Sequence, residues 1–197
     1  MISYIKGHLT SKNPAQVIIE SHGIGYALLI SLTTYSKIAD QKEVQLFVES
    51  MYVRDDNPKH YGFAEEDERD LFRKIVSVSG VGGSSAILML SSLSTPDIVG
   101  AINTANVAML KSIKGIGEKT AQRIVVDLKG KLGKHEGGIS SILAPSYNKN
   151  KEEALMALTT LGFQKLAAEK ALEKAIKQQG VGTDNVELLI KTALKNI

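Results

Sequence analysis

Two stretches of this chain repeat one pattern, and that pattern limits what the middle of the molecule can become. "VSVSGVGGSSAILML", from Val76, and "LKSIKGIGEKTAQRIVV", from Leu110, each read as an apolar helical run, a Gly-apolar-Gly turn and a second helical run. Gly80 aligns with Gly115 and Gly82 with Gly117, an offset of 35 residues. A repeat at this period marks duplicated supersecondary units. The first glycine of each lets the chain leave a helix with positive φ. The second removes a Cβ, so backbone N–H groups can come close to an anion. The next helix then presents its free amides and positive dipole end to that anion.

Gly83 and Ser84 make a small, polar first turn after Gly82, and Lys119 and Thr120 add a cation and a hydroxyl after Gly117. A site of this kind holds phosphate and reads no base. Two other phosphate loops fail on the residues present. A Walker A loop needs Gly directly before Lys-[Ser/Thr], and Glu118 stands there. A dinucleotide fingerprint needs a third glycine and a preceding strand, whereas a helical run precedes Gly115.

The flanks have different textures. Residues 1–64 are strand-like, with "AQVIIE", "GYALLIS" and "EVQLFVESMYV" separated by turn residues. Closely spaced short strands predict a small barrel or sandwich, such as an OB-type five-stranded barrel. "VRDDNPKHYGF" reads as a hairpin tip with Asp55, Asp56, Asn57 and Pro58 in the turn. From Glu65 the pattern is helical, and "EEDERDLFRKIVSV" sets Leu71, Phe72, Ile75 and Val76 on one face. Four further helices are expected in "SSAILMLSSL", "STPDIVGAI", "NVAMLKSI" and "EKTAQRIVVDLKGKL", with a domain boundary near residue 133. Residues 134–149 read as a flexible linker, and 150–197 as a three-helix bundle with Leu155, Leu158, Leu161 and Phe163 in its core.

Composition narrows the function classes. The chain has no cysteine, which removes disulfides, thiolate metal sites and a cysteine nucleophile. Four scattered histidines show no metal-site spacing, and no serine has triad-like partners. No metal or cofactor is expected. The N-terminus does not read as a signal peptide and no apolar run is long enough to span a membrane, so a cytoplasmic protein is expected.

The ordered set "HGIGYALLISLTT", "MYVRDDNPKHYGF", "GVGGSSAILMLSSLS" and "IKGIGEKTAQRIVVDLKGKL" resembles the RuvA family, the Holliday-junction-binding subunits of the bacterial branch-migration complex. The resemblance covers nearly the whole chain, including the final "LTTLGF" bundle. It implies an α+β multidomain protein: an N-terminal OB-fold β-barrel, a middle all-α double helix-hairpin-helix domain and a C-terminal three-helix bundle. It implies a homotetramer or octamer on a DNA four-way junction, serving recombination, DNA repair and the SOS response to DNA damage. The hexameric ATPase motor RuvB and the junction endonuclease RuvC would be its partners, with no catalysis in this chain.

Carried over by position, Gly80, Gly82, Gly115 and Gly117 are the motif glycines, and Lys119 and Arg123 are basic positions facing the DNA backbone. Asp55 and Asp56 fall on the acidic pin, which would repel phosphates at the junction centre. Leu161, Gly162 and Phe163 fall in the motor-binding domain as candidate contacts. Two positions depart from the family pattern, Ser84 and Glu118, where many relatives carry a basic residue. Residues 65–133 hold nine Lys and Arg against eight Asp and Glu, so amide-dominated binding with a shallow salt dependence is expected. The competing expectation is a helix-hairpin-helix glycosylase or lyase, with Asp127 as the nearest carboxylate.

Overall fold

Alternating burial closes the first five strands into a barrel. The computed structural model describes residues 2–52, 57–132, 146–179 and 185–196. The strands are β1 (Tyr4–Asn13), β2 (Gln16–Ser21), β3 (Ile24–Ile30), β4 (Glu43–Met51) and β5 (Lys59–Phe63), with helix α1 (Leu32–Lys37) between β3 and β4. Val17, Ile19, Leu28, Ile30, Val44, Leu46 and Val48 point inward and form the barrel core. Their neighbours along each strand face outward, which is the period-two pattern of a half-buried strand. The strand order is β1-β2-β3-β5-β4 and the barrel is closed. β3 and β5 form its parallel pair, Leu29 opposite Tyr61, and every other pair is antiparallel. This is the OB-type barrel expected from the sequence.

Helices α2 (Glu66–Val76), α3 (Gly83–Ser92), α4 (Thr95–Asn103), α5 (Val107–Lys111) and α6 (Glu118–Leu128) follow. Their apolar faces share one core with Leu71, Phe72, Ile75, Met89, Ile98, Ile102 and Ile124 fully buried. Tyr61 and Phe63 of β5 belong to this same core, their rings 4.8 and 5.0 Å from that of Phe72. Barrel and helices therefore make one compact unit, Met1–Gly133, and Lys134–Ile197 make another.

A buried polar cluster ties α2 to the barrel. Glu68 is 1% exposed. It accepts hydrogen bonds from the hydroxyls of Ser31 and Thr34, the latter at 2.8 Å. Ser31 also caps α1 by accepting from Thr34 N, and Thr34 Oγ1 accepts from Ala64 N at 3.0 Å. Burial pushes the Glu68 carboxyl above its ordinary value, against the hydrogen bonds from Ser31 and Thr34 and the charge of Lys37.

The second unit contains α7 (Ser146–Thr160), α8 (Lys165–Gln179) and α9 (Val186–Leu194). Ala154, Leu158, Ala168, Leu172, Ala175, Leu189 and Ala193 form its core. Two expectations change. α7 begins at Ser146, directly after Pro145, so the last four positions of the expected linker are helical. Leu161 is 62% exposed and lies outside the core, whereas Leu155 and Phe163 pack against it in part. The cause is the chain reversal at Gly162, whose φ of +97° ends α7 and turns Phe163 inward. Among the described residues no single helix is long and apolar enough to cross a membrane.

Candidate nucleic-acid interface

The two Gly-apolar-Gly turns are built from the same hydrogen bonds, 35 residues apart. Val78 N donates to Ile75 O and Val81 N to Val78 O; the counterparts are Ile113 N to Leu110 O and Ile116 N to Ile113 O. Gly80 and Gly115 both have φ of +87°, a conformation that L side chains rarely adopt. The apolar residue between the glycines, Val81 or Ile116, is buried and anchors each turn to the core.

The second glycine starts the next helix. Gly82 and Gly117 are extended N-caps, and neither contributes a side-chain cap. By contrast, Ser94 and Asn106 cap α4 and α5 with their own side chains. The first-turn amides of α3 and α6 thus have no intrahelical partner and no capping side chain. Built at Gly82 or Gly117, a Cβ would meet no atom within 4 Å, so approach to these amides is open. Such a helix end suits an anion by both its N–H groups and its dipole.

The sequence-predicted residues divide into groups here. Ser84 lies in the first turn of α3, and Lys119 and Thr120 in the first turn of α6. Lys119 is exposed and makes no ion pair among the described residues. Gly83 is buried instead, beneath Tyr61 and Met51 of the barrel. Arg123 lies one turn further along α6, and its Nη1 donates to Ser79 O at 3.1 Å, beside the first turn. Asp127 sits within α6, partly buried. Asp55 and Asp56 lie outside the described residues, though β4 and β5 on either side of them pair antiparallel down to Met51 and Lys59. Leu161, Gly162 and Phe163 belong to the second unit, at the end of α7.

Three family models match this chain in order: RuvA N terminal domain over residues 1–62, SAM-like Helix-hairpin-helix tandem over 72–130, and RuvA, C-terminal domain over 149–197. A relative from Christiangramia forsetii is 47% identical over 197 residues, covering all of both chains. The chain belongs to the RuvA family. A Bacteroides fragilis relative is 43% identical and one from Flavobacterium psychrophilum 42% identical, again covering all of both chains. All three relatives are named as the Holliday junction branch migration complex subunit RuvA.

Within this RuvA-family chain the second hairpin is electrically mixed. Lys111 Nζ lies 2.9 Å from Glu118 Oε2, joining the helix before the turn to the one after it. That hydrogen bond and charge hold the Glu118 carboxyl below its ordinary value, so it is ionised at neutral pH. Lys111 is thereby engaged by Glu118, and Lys119 is the basic residue that stands clear in the first turn of α6. The sequence reading missed this pairing, the bond from Arg123 to Ser79, and the Tyr61 contact behind Gly83. The repeat carried a signal for one of these. Its 35-residue offset aligns Arg123 with Leu88, a position where no phosphate-binding cation is present.

Proposed function

We propose that this chain is a non-catalytic DNA-binding scaffold that recognises four-way junctions, holds them open and recruits an ATP-driven branch-migration motor. The observation that carries the proposal is the pair of open, uncapped helix starts at Gly82 and Gly117 in a RuvA-family chain that spans the whole length of its relative. Each hairpin offers amides to the phosphates of a duplex arm, which fixes position without reading sequence.

In this reading residues 1–64 form the barrel bearing the acidic hairpin, 65–133 the paired grip, 134–149 the linker and 150–197 the motor-binding bundle. Asp55 and Asp56 would stand at the crossover and turn separated strands into neighbouring arms. A homotetramer supplies one paired grip per arm, and an octamer two. RuvB and RuvC are the proposed protein partners, and Leu161, Gly162 and Phe163 the proposed contacts for the motor. The cytoplasm is the proposed compartment.

The test is a gel-shift comparison of a four-way junction, a linear duplex and a single strand at one fixed salt concentration. Tighter binding to the junction is expected. Equal affinity for junction and duplex would defeat the proposal. Strand cleavage of an abasic duplex by the purified chain would favour the lyase expectation instead.

A further inference from the structure

The two hairpins are crossed over one another by reciprocal contacts. Arg123, on the helix after the second turn, reaches back 44 residues to donate to Ser79 O at 3.1 Å. Its Nη1 also lies 3.8 Å from the Cβ position at Gly80, so the guanidinium rests on the first turn. The counterpart of Arg123 in the first repeat is Leu88. Leu88 Cδ2 lies 3.8 Å from the Cβ position at Gly115, on the second turn. Residue and partner therefore exchange roles between the repeats, which is the contact pattern of a two-fold interface.

We propose that Arg123 is a positioning residue that sets the spacing of the two phosphate grips, rather than one more phosphate contact. Leu88 fills the equivalent place with an apolar side chain, so that place works as a contact between repeats and needs no charge. Arginine suits the second copy because its planar fork can bond a carbonyl while lying against backbone. Ser79 O is an acceptor at the turn itself, immediately before the glycine with positive φ. Holding it holds the turn. Without that bond the first turn loosens against the second, and the two amide sets fall out of step with the phosphates of one arm. The inference deepens the reading of the hairpins as a paired grip and rests on it.

The experiment compares the full-length protein with Arg123→Leu, Arg123→Lys and Lys119→Ala by two readouts. The first is amide hydrogen exchange of the free protein at Val81 and Ala86, whose N–H groups bond within the first hairpin. Loss of one charge-assisted hydrogen bond predicts exchange there on the order of tenfold faster in Arg123→Leu. Lys119→Ala should leave it unchanged. The second is the salt dependence of binding to a four-way junction. Lys119→Ala should make the slope shallower by about one unit, as expected when a single phosphate is no longer neutralised. Arg123→Leu should weaken binding with the slope kept. Arg123→Lys keeps the charge but not the fork, and should resemble Arg123→Leu in both readouts. Unchanged exchange in Arg123→Leu, or a slope reduced as in Lys119→Ala, overturns the proposal. If the wild-type chain fails to bind junctions, the functional reading falls, and the exchange result alone decides the brace.

Discussion

The phenol of Tyr61 occupies the space that a side chain at Gly83 would fill. A Cβ there would lie 2.3 Å from Tyr61 Oη and 2.9 Å from Met51 Sδ. Tyr61 and Met51 belong to β5 and β4, the strands that flank Asp55 and Asp56 in the chain. The β4–β5 pair of the barrel is thus seated directly under the first Gly-apolar-Gly turn. Gly83→Ala should cost about 1–3 kcal/mol by overpacking. Thermal or urea denaturation would measure it. In a double-mutant cycle with Tyr61→Leu the two costs should not add, since the shorter side chain vacates the contested space. Additive costs would show that the clash is not with Tyr61.

The paired glycines of each turn should separate stability from binding. Gly80→Ala forces a side chain into the left-handed region and should cost about 1–2 kcal/mol in unfolding free energy. Gly82→Ala meets neither strain nor contact, so its stability should stay close to the wild type. Its new methyl would nevertheless stand at the open helix start, and junction binding should weaken. The same contrast is expected between Gly115→Ala and Gly117→Ala. Denaturation curves and gel shifts on the four variants are the check.

Glu118→Lys should tighten junction binding and steepen its salt dependence. The change removes the carboxylate that engages Lys111 and adds a cation to the first turn of α6. By charge alone the slope gains up to about one unit for each new phosphate contact. An unchanged slope would mean that this turn does not face the nucleic-acid backbone.

Glu68 predicts a pH dependence whose sign is opposite to that of a salt-bridged carboxylate. Its folded-state value is raised, chiefly by burial, so the folded protein holds the proton more tightly than the unfolded chain. The group's contribution to stability is therefore fully present below the unfolded value near 4.5 and is lost as pH rises through the folded value. The difference in unfolding free energy between wild type and Glu68→Gln should shift in favour of wild type as pH falls from 7 toward 5. A difference that is flat with pH would remove the raised value.

Asp55→Asn combined with Asp56→Asn should preserve assembly and junction binding while changing strand separation at the crossover. Size-exclusion chromatography and a branch-migration assay with an added motor would report the two properties separately. Loss of assembly would assign these residues a structural role.

Some of this architecture could be read directly from the residue order. The glycine repeat and the face formed by Leu71, Phe72 and Ile75 are local patterns, and each is realised locally. β1 and β5 are harder to see. "YIKGHLTSKN" is mostly exposed, and "KHYGF" interrupts its apolar residues with Lys, His and Gly, so neither makes a dense β-rich run. The Glu68 cluster joins residues 37 and 34 positions apart, and hydroxyl donors leave no periodic trace in sequence. Leu161 looks like a core leucine by spacing, yet Gly162 turns the chain before that spacing can apply. The roles of Gly83 and Arg123 depended on which elements lie across from them, and pairwise contact over 22 or 44 residues is set by packing alone.

The crossed contacts of the two hairpins have a consequence for direction. A duplex has its own dyads perpendicular to its axis, and its two strands run in opposite senses. A grip whose turns exchange roles would offer its backbone amides to both strands alike, and only the side chains that follow, Ser84 in one half and Lys119 in the other, differ between them. The amides of such a grip impose no polarity on the DNA they hold. The sense of travel is then left to whichever motor is attached.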